Sequence, residues 1–509
     1  MKTRHSILLF LLIVFVGLIS IFLYRTYHYF EKPQNQALNL IPDNAAFIIK
    51  GMRSDNFLEF YKENTCFLSS LYSEKQMKRM DYVFNTVLSL QNCKQVVKHS
   101  SLYLSNVNEE LVVVIETSRR YNRLLADFMN FLKTDFANKS FVYKNNTIYS
   151  LFFDNDYLYL NYQNGLLLMT FNENLMRKAI NKLELKSDGI QSAINLIPAQ
   201  RNENAQMYFY VQYQYFIPYL KNKLRKIGGD IATIDMLKPC QWSVFDLSVK
   251  NQNILLSGYT RIDTSIIQSK LLTHKNNKID FMKMLPYNAN RVFSIKANCA
   301  DDWTKIPSMV WQGEDFLSLM YPTRITTFEM ENDGATYNYL LINSENVSEA
   351  SFHLYNSLNS YFDCNKFFLD TMHVGSMFIG RIEMPNFVFS KLGINGQLSR
   401  LKYYTVIDNY IIFTDKKESI LTYITCFRQH KSLKMSDRYK SLQDYFSDEA
   451  NLFYYYDFTG KEQKNYDNFT SMRVQIYAQS DSIVSTNVVI MVNDMQPQKI
   501  YPPIYNKQI

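Results

Sequence analysis

The sequence opens in a similar way twice, about half a chain apart. IPDNAAFIIKG starts at Ile41 and LPYNANRVFSIKA starts at Leu285. Both place a Pro after an aliphatic residue and an Asn-Ala pair two positions later, then continue into an apolar run that ends at Lys50 or Lys296. Such a chain is predicted to contain two copies of one folding unit.

Further matches keep the same order at a nearly constant spacing. The last spacing is shorter because the first half carries an extra basic helical pattern from Phe216. Any one match is weak in a Tyr-rich chain, and the collinear order is what supports a duplication. The matches pair Pro42 with Pro286 and Thr170 with Thr414 (244 apart), the segments from Asn204 and Glu449 (245 apart), and those from Asn253 and Ser482 (229 apart).

Each half has the pattern of an antiparallel sheet. Short apolar and aromatic runs are separated by polar turn residues at Val107–Glu110, Asp154–Asp156, Asn164–Gly165 and Asp333–Gly334. Helical spacing follows in the segments from Arg119 and Val347. The predicted fold class is α+β: two tandem duplicated domains, each a meandering antiparallel sheet with helices packed on one face.

A chain of 509 residues also exceeds the roughly 250 to 300 residues that one core can serve. The predicted divisions are a signal anchor and juxtamembrane segment over 1–32, a first repeat domain over 33–262, a linker over 263–284, a second repeat domain over 285–495 and a tail over 496–509.

The segment from Ile7 to Tyr24 carries no charge. Its 18 residues would rise about 27 Å as a helix, enough to span a bilayer's hydrocarbon core. A cleavable signal peptide is the alternative, but the apolar run is longer than usual and small cleavage-site residues are missing. We therefore expect one transmembrane helix that acts as a signal anchor in the lipid bilayer.

The orientation of the chain is a separate prediction. Arg25 and Lys32 nearly balance Lys2 and Arg4, so the charge rule leaves a cytoplasmic body as an alternative. A single N-terminal apolar segment usually directs export of the polypeptide C-terminal to it. We expect a single-pass protein of the cell inner membrane with its body facing the periplasm.

Charge excludes little beyond one partner class. The chain has 55 Lys and Arg against 47 Asp and Glu, and the basic residues are scattered along the sequence. The densest stretches, Lys221–Lys226 and Lys270–Lys278, fit an exposed helix or a linker. We expect no nucleic-acid partner, since such a surface normally shows clustered cations.

Local catalytic signatures are missing from the sequence. HExxH, Gly-x-Ser-x-Gly and Walker-type loops do not occur, and no two of the seven His stand at metal-ligand spacing. Asp154-Asn-Asp156 has the spacing of a metal-binding carboxylate pair, but a hairpin turn explains it better. We therefore predict no catalytic, cofactor-binding or metal-binding residues and no cofactor.

Two groups of side chains remain open from sequence alone. Cys66 and Cys93 are compatible with a disulfide or with buried free thiols. Trp242, Trp303 and Trp311 are compatible with a glycan or peptide groove, although packing in a core or sheet is the commoner fate.

An N-terminal anchor followed by IPDNAAFIIKG and a Tyr- and Asn-rich second opening resembles a family of uncharacterised envelope proteins from Bacteroidetes-type bacteria that carry a domain of unknown function. The resemblance implies a bacterial envelope location and no catalytic residue. We expect a membrane-anchored extracytoplasmic binding or scaffolding protein with an envelope protein or glycan as partner. An envelope enzyme, glycan-acting or hydrolytic, with a dispersed active site between the two domains is the alternative.

Overall fold

The computed structural model describes residues 19–21, 23–24, 37–135, 139–185, 189–197, 205–227, 234, 237–250, 253–266, 269–273, 278–296, 320, 322–332, 334–352, 371–375, 377–384, 401–443, 445–458 and 469–492. These residues form two compact units. The first unit holds the described residues of Met1–Asn195 and Glu203–Tyr210, and the second holds those of Leu196–Asn202 and Val211–Lys499. These units are defined by contacts within the fold, whereas the predicted domains are defined as copies of one ancestral sequence. The predicted domain boundaries therefore stay predictions.

Among the residues that the structure describes, no helix combines the length and the apolarity needed to cross a membrane. The predicted anchor from Ile7 to Tyr24 lies outside the described residues, apart from positions 19–21, 23 and 24. The predicted tail over 496–509 lies wholly outside them.

The first unit is built on antiparallel strands. Their pairing gives the order β4-β5-β6-β7-β3-β2-β1, and β1 also pairs with β8. The strands are β1 (Ala45–Gly51), β2 (Ser100–Val107), β3 (Glu110–Thr117), β4 (Lys139–Tyr143), β5 (Asn146–Phe153), β6 (Asp156–Gln163), β7 (Leu166–Thr170) and β8 (Met207–Gln212).

The predicted hairpins of this unit are confirmed. Asn108 and Glu109 join β2 to β3, Asp154 and Asn155 join β5 to β6, and a third pair joins β6 to β7. Both residues of each turn have positive φ, at 51° and 62°, 46° and 62°, and 47° and 81° for Asn164 and Gly165. Two-residue turns of this kind match the right-handed twist of the strands they connect.

The strands β2, β3 and β7 have no solvent face. Every residue of β2 and β7 is buried, as is every residue of β3 except Glu110. Successive side chains point to opposite faces, so both faces of the sheet are covered here. Burial alone does not identify what covers each face, so the expectation that helices cover one face stays a prediction. Runs such as LVVVI and LLLM explain this burial, because they contain no polar residues at alternate positions that could face water.

The helices of the first unit follow from capping and amphipathic spacing. Ser73 and Gln76 form a capping box at the start of one helix, and the Asn172 side chain accepts from the Leu175 amide at another. The α-helices are α1 (Ala37–Leu40), α2 (Ser54–Glu63), α3 (Thr65–Leu71), α4 (Glu74–Asp81), α5 (Lys94–Lys98), α6 (Asn122–Asp135), α7 (Glu173–Glu184) and α8 (Gly189–Asn195).

The second unit contains a longer run of antiparallel strands. Their pairing gives the order β9-β10-β20-β19-β18-β11-β12-β13-β17-β16-β15-β14. The strands are β9 (Cys240–Lys250), β10 (Asn253–Ile262), β11 (Ala289–Lys296), β12 (Pro322–Asn332), β13 (Ala335–Ser344), β14 (Thr371–Val374), β15 (Met377–Met384), β16 (Leu401–Ile407), β17 (Tyr410–Thr414), β18 (Leu452–Asp457), β19 (Phe469–Ala478) and β20 (Ile483–Val492).

An aromatic core fills the second unit. Phe328 stacks on Tyr339 with ring centroids 4.6 Å apart, and Tyr423 packs 5.7 Å from Tyr339. The Tyr423 hydroxyl donates to the carbonyl oxygen of Met284, which satisfies its polar atom (2.9 Å). The α-helices of this unit are α9 (Tyr213–Ile227), α10 (Ser269–Thr273), α11 (Lys417–Arg428) and α12 (Asp437–Gln443).

A buried arginine ties two hairpins of the first unit together. Arg79 on α4 is 5% exposed, and its guanidinium donates to Glu110 Oε2 (2.5 Å) and to Asp156 Oδ2. The same group lies 4.8 Å from the ring of Phe171. Because Glu110 and Asp156 each sit at a turn, the arginine fixes the two turns at one end of the sheet.

One buried arginine of the second unit has a different environment. Arg473 is 3% exposed and lies between the rings of Tyr439, Phe446 and Phe453 at 4.9, 4.2 and 5.0 Å. Within the described part of the chain, its Nε and Nη1 atoms have no hydrogen-bond partner. Burial lowers the pKa of Arg473, as expected for a cation stabilised mainly by ring faces.

These two environments predict opposite results for the same substitution. Arg79→Met leaves two partly buried carboxylates without their cation and should destabilise the chain by about 1 to 3 kcal/mol, a value reduced for their partial exposure. Arg473→Met removes a desolvated charge that lies mainly against ring faces and should be neutral or stabilising. Urea unfolding followed by circular dichroism measures both. A larger loss for Arg473→Met than for Arg79→Met would contradict this assignment.

Candidate functional site

The three strands β4, β5 and β6 carry a row of aromatic side chains with partial solvent exposure. Phe152 is 49% exposed, and Tyr157 and Tyr159 are half-buried. Ring centroids are 5.4 Å apart between Phe152 and Tyr157, and 6.5 Å apart between Tyr157 and Tyr159. We call Phe152, Tyr157 and Tyr159 the aromatic strip.

Strand register places these rings on one face. Phe152 is the direct partner of Tyr157, and Ser150 is the partner of Tyr159. Residues two apart on a strand share a face, so the alternation in DYLYLNY sends both tyrosines to the same side. Leu158 and Leu160 point the other way and are fully buried.

Helix α7 borders one side of the strip. Arg177 lies over Phe141 and Tyr143 at 5.3 and 4.6 Å, and it donates to Glu173 Oε1 (2.9 and 2.6 Å). Phe141 lies 6.5 Å from Tyr159 and continues the row toward the helix. The strip therefore has a charged, hydrogen-bonding border on one side.

The predicted metal-type pair lies at the turn of the same hairpin. Asp154 and Asn155 have the positive φ angles of the turn, and Asp156 accepts from Arg79. The turn interpretation of this motif therefore agrees with the structure. Within the described residues, no three His, Cys, Asp or Glu side chains form a group that could hold a metal ion.

The structure places the cysteines and one of the tryptophans that the sequence left open. Cys66 and Cys93 are buried free thiols and form no disulfide. Burial raises the pKa of the Cys93 thiol to about 12, which keeps it protonated and unreactive at neutral pH. Trp242 is 8% exposed and is a buried residue of strand β9. Trp303 and Trp311 lie outside the described residues.

One buried carboxylate lies on the sheet of the first unit. The Tyr103 hydroxyl donates to Glu116 Oε2 (3.0 Å), and the Lys50 Nζ atom lies 5.1 Å from the Tyr103 ring. Tyr103 and Glu116 are each 1% exposed. Glu116 therefore has a hydrogen-bond donor, Tyr103, inside the sheet.

The sequence located the hairpin of the strip but missed the strip itself. Alternation of aromatic and aliphatic residues in DYLYLNY indicates two faces without saying which one is covered. That choice depends on α4 and Phe171, which cover the face opposite the strip through Arg79. The available sequence signal was an Asp-Asn turn followed by Tyr at alternate positions.

Comparison with known proteins leaves the function open. No protein-family model and no curated protein matches the chain. Solved structures of TP0453 in crystal forms I, IV and III share 10%, 10% and 12% identity with it. They overlap 44%, 44% and 48% of this chain and 78%, 80% and 90% of TP0453, with TM-scores of 0.25, 0.23 and 0.25. At these TM-scores the likeness carries no argument about fold or function.

The ionisation of Tyr159 reports on the border of the strip. Burial raises the pKa of Tyr159, and the negative charges of Glu173 and Asp156 raise it further. Glu173→Gln removes one of these charges, so the phenolate is less disfavoured and the pKa of Tyr159 should fall. Absorbance titration at the phenolate band, taken as the difference from the Tyr159→Phe variant, measures the change.

Glu184→Gln is the matched control for this prediction. Glu184 ends the same helix and accepts from Lys144 Nζ (3.4 Å). It does not contribute to the raised pKa of Tyr159. An equal fall in the pKa of Tyr159 for both substitutions would mean that Glu173 does not act on the strip specifically.

Proposed function

We propose that this chain is a membrane-tethered, extracytoplasmic binding protein whose aromatic strip holds a glycan segment. The observation that carries the proposal is the row formed by Phe152, Tyr157 and Tyr159 on an exposed sheet face. Rings in a row offer flat apolar surface, and Glu173 and Arg177 offer polar contacts beside it.

The size of the strip favours a small ligand over a protein. An aromatic side chain offers about 150 to 250 Å², so these three half-exposed rings present on the order of 250 Å² together. A stable protein interface needs about 800 Å² on each partner. A short glycan segment fits the available area better.

The N-terminal segment supports the tether. Four of its described residues are large and exposed, Ile19 at 41%, Ile21 at 55%, Leu23 at 60% and Tyr24 at 65%. A helix that belonged to a soluble core would bury such side chains. Their exposure agrees with an apolar helix that meets lipid, and the resemblance to envelope proteins agrees with the same location.

The proposal includes descent of the two halves from one duplicated unit. Both opening strands have a register shift at the same place, between Ala45 and Phe47 and between Ala289 and Arg291. In each opening an Ala amide donates to a Pro carbonyl, from Ala45 to Pro42 (3.1 Å) and from Ala289 to Pro286 (3.0 Å). These features lie 244 positions apart, as the sequence matches do.

Other contacts recur at equivalent positions. Thr170 Oγ1 donates to the Leu111 carbonyl and Thr414 Oγ1 to the Asn338 carbonyl, both at 2.8 Å. Helices α7 and α11 have the same length and the same spacing of 244. Strand pairing follows the same order from β1 to β7 and from β11 to β17, with β10 and β20 as the last strands of their halves.

The pairing of β10 with β20 is self-complementary under this correspondence. At a spacing of 229, Ser257 corresponds to Thr486 and Gly258 corresponds to Asn487. The register pairs Ser257 with Asn487 and Gly258 with Thr486. Two like surfaces that meet about a two-fold axis produce this reciprocity, which is expected when copies of a self-associating unit become fused.

The strip is tested by removing its rings. Phe152→Ala with Tyr157→Ala should weaken glycan binding at least tenfold, since most of the exposed ring surface is lost. The measurement is electrophoresis of the full-length chain, in neutral detergent, through gels that contain mannan, laminarin or pullulan. Val142→Ala is the matched control, because Val142 is 71% exposed on the adjacent strand. Equal mobility of all three proteins in every gel would contradict the proposal.

The tether and its orientation are tested in cells. Deletion of residues 1–32 should release the body from the membrane fraction, because the apolar helix is the proposed anchor. With the intact chain, protease added to spheroplasts should digest the body while a cytoplasmic marker survives. Digestion only after the inner membrane is broken would contradict an extracytoplasmic body.

A further inference from the structure

Three separate sequence segments meet at one end of the first unit's sheet. β1 ends at Gly51, β2 begins at Ser100 and β3 ends at Thr117. Register pairs Gly51 with Leu102 and Ser100 with Thr117, so these ends lie side by side. The residues just beyond them therefore come together although they lie far apart in sequence.

Cations outnumber carboxylates in the segments that meet at this end. The segments 50–55, 98–99 and 118–123 contain six cations and one carboxylate, Asp55, which accepts from Arg53 Nε (3.0 Å). We call these cations the basic end. They are Lys50, Arg53, Lys98, Arg119, Arg120 and Arg123. Strand register thus gathers charges that are scattered along the sequence.

Four of the six cations of the basic end are exposed, and three of the six act on a shared neighbour. Arg53, Lys98, Arg120 and Arg123 are exposed. His99 lies among them, and its pKa is lowered by burial and then by the positive charges of Lys98, Arg53 and Arg120. Positive charges from separate segments therefore act together on His99.

The aromatic ring at this end is already occupied. His99 stacks on Tyr121 with centroids 4.1 Å apart and planes at 8°. The Arg120 guanidinium lies 5.5 Å from the same ring. Single-stranded nucleic acid relies on aromatic faces that are open to base stacking, and this ring does not offer one.

The basic end lies at the opposite end of β1 from the residue at which the chain enters the strand. The chain reaches β1 at Ala45, the opposite end of the strand from Lys50. A seven-residue strand extends about 20 Å, so the basic end lies about that far from Ala45. Exposed cations spread over three segments fit an extended partner better than a single small anion.

From this arrangement we infer that the basic end binds an acidic glycan, a polymer that carries closely spaced anionic groups and no aromatic bases. This site is separate from the aromatic strip and does not depend on the strip's function. Its binding energy comes from ion pairs and from release of the polymer's counterions, so affinity should fall steeply as salt rises.

The test compares two triple variants of the full-length chain in neutral detergent. Lys98→Gln, Arg120→Gln and Arg123→Gln remove three cations from the basic end. Lys75→Gln, Lys133→Gln and Lys178→Gln remove three exposed cations elsewhere in the first unit and give the same net charge. Fluorescence anisotropy with labelled dextran sulfate measures affinity at several salt concentrations, and neutral dextran is the polymer control.

We expect dextran sulfate, but not dextran, to bind the unaltered chain. The basic-end variant should lose at least tenfold in affinity. The plot of log affinity against log salt should become shallower, with the magnitude of its slope smaller by roughly 2 to 3. The affinity of the second variant for dextran sulfate should stay within about twofold of that of the unaltered chain. Equal weakening by both variants would show that net charge alone attracts the polymer, and failure of dextran sulfate to bind would also overturn the inference.

Two further probes distinguish the partner class. Oligothymidylate that binds more tightly than dextran sulfate through the same residues would assign the site to nucleic acid. Tighter binding to vesicles with anionic headgroups would assign it to a lipid surface. Either result overturns the inference of an acidic glycan.

His99 gives an independent readout of where the polymer sits. Bound anionic groups offset the charges that lower the pKa of His99, so dextran sulfate should raise this pKa in a nuclear magnetic resonance titration. An unchanged pKa of His99 at saturating polymer would place the polymer away from the basic end and contradict the inference.

Discussion

Apolar sequence runs that leave no face for water are the constraint on which this structure depends. Strand β3 reads LVVVI and its neighbour β7 reads LLLM, and both are buried at consecutive positions. An antiparallel sheet usually keeps one wet face, but these strands require cover on both. The helices between β1 and β2 and the helix after β7 contact these strands and contribute to that cover. The three strands β4 to β6 are less completely covered, and there the aromatic strip remains accessible.

Local sequence signals predicted the elements well where the signal is itself local. The turns at Asn108–Glu109, Asp154–Asn155 and Asn164–Gly165 have the positive φ angles that their residues favour. The helix predicted from Arg119 lies at Asn122–Asp135 after a short 3₁₀ turn. In these cases the chemistry of a few neighbouring residues decides the conformation.

Features that depend on register or on distant segments were not predictable in the same way. The number of covered faces depends on where helices pack, and alternation in DYLYLNY does not contain that information. The basic end needs three segments to be aligned by hydrogen bonds between β1, β2 and β3. The roles of Arg79 and Arg473 depend on partners from other elements, which lie far from them in the sequence.

The proposed history and the proposed function are connected through the edges of the sheet. An exposed edge strand invites uncontrolled pairing with other chains. Pairing of β10 with β20 removes two such edges within the second unit. The surfaces of the first unit differ in chemistry, with aromatic rings on one face and cations at one end. The proposed function and the further inference assign neutral glycan to the rings and acidic glycan to the cations.

The register between β10 and β20 is the most direct test of the proposed joint between the two halves. Ser257 and Asn487 are paired, and the Ser257 hydroxyl donates to Asn487 Oδ1 (2.7 Å). Ser257→Cys with Asn487→Cys should therefore form a disulfide under mild oxidation, detected as one linked peptide by mass spectrometry. Ser257→Cys with Val489→Cys, two positions out of register, should not. A linked peptide from the shifted pair and none from Ser257→Cys with Asn487→Cys would contradict the joint.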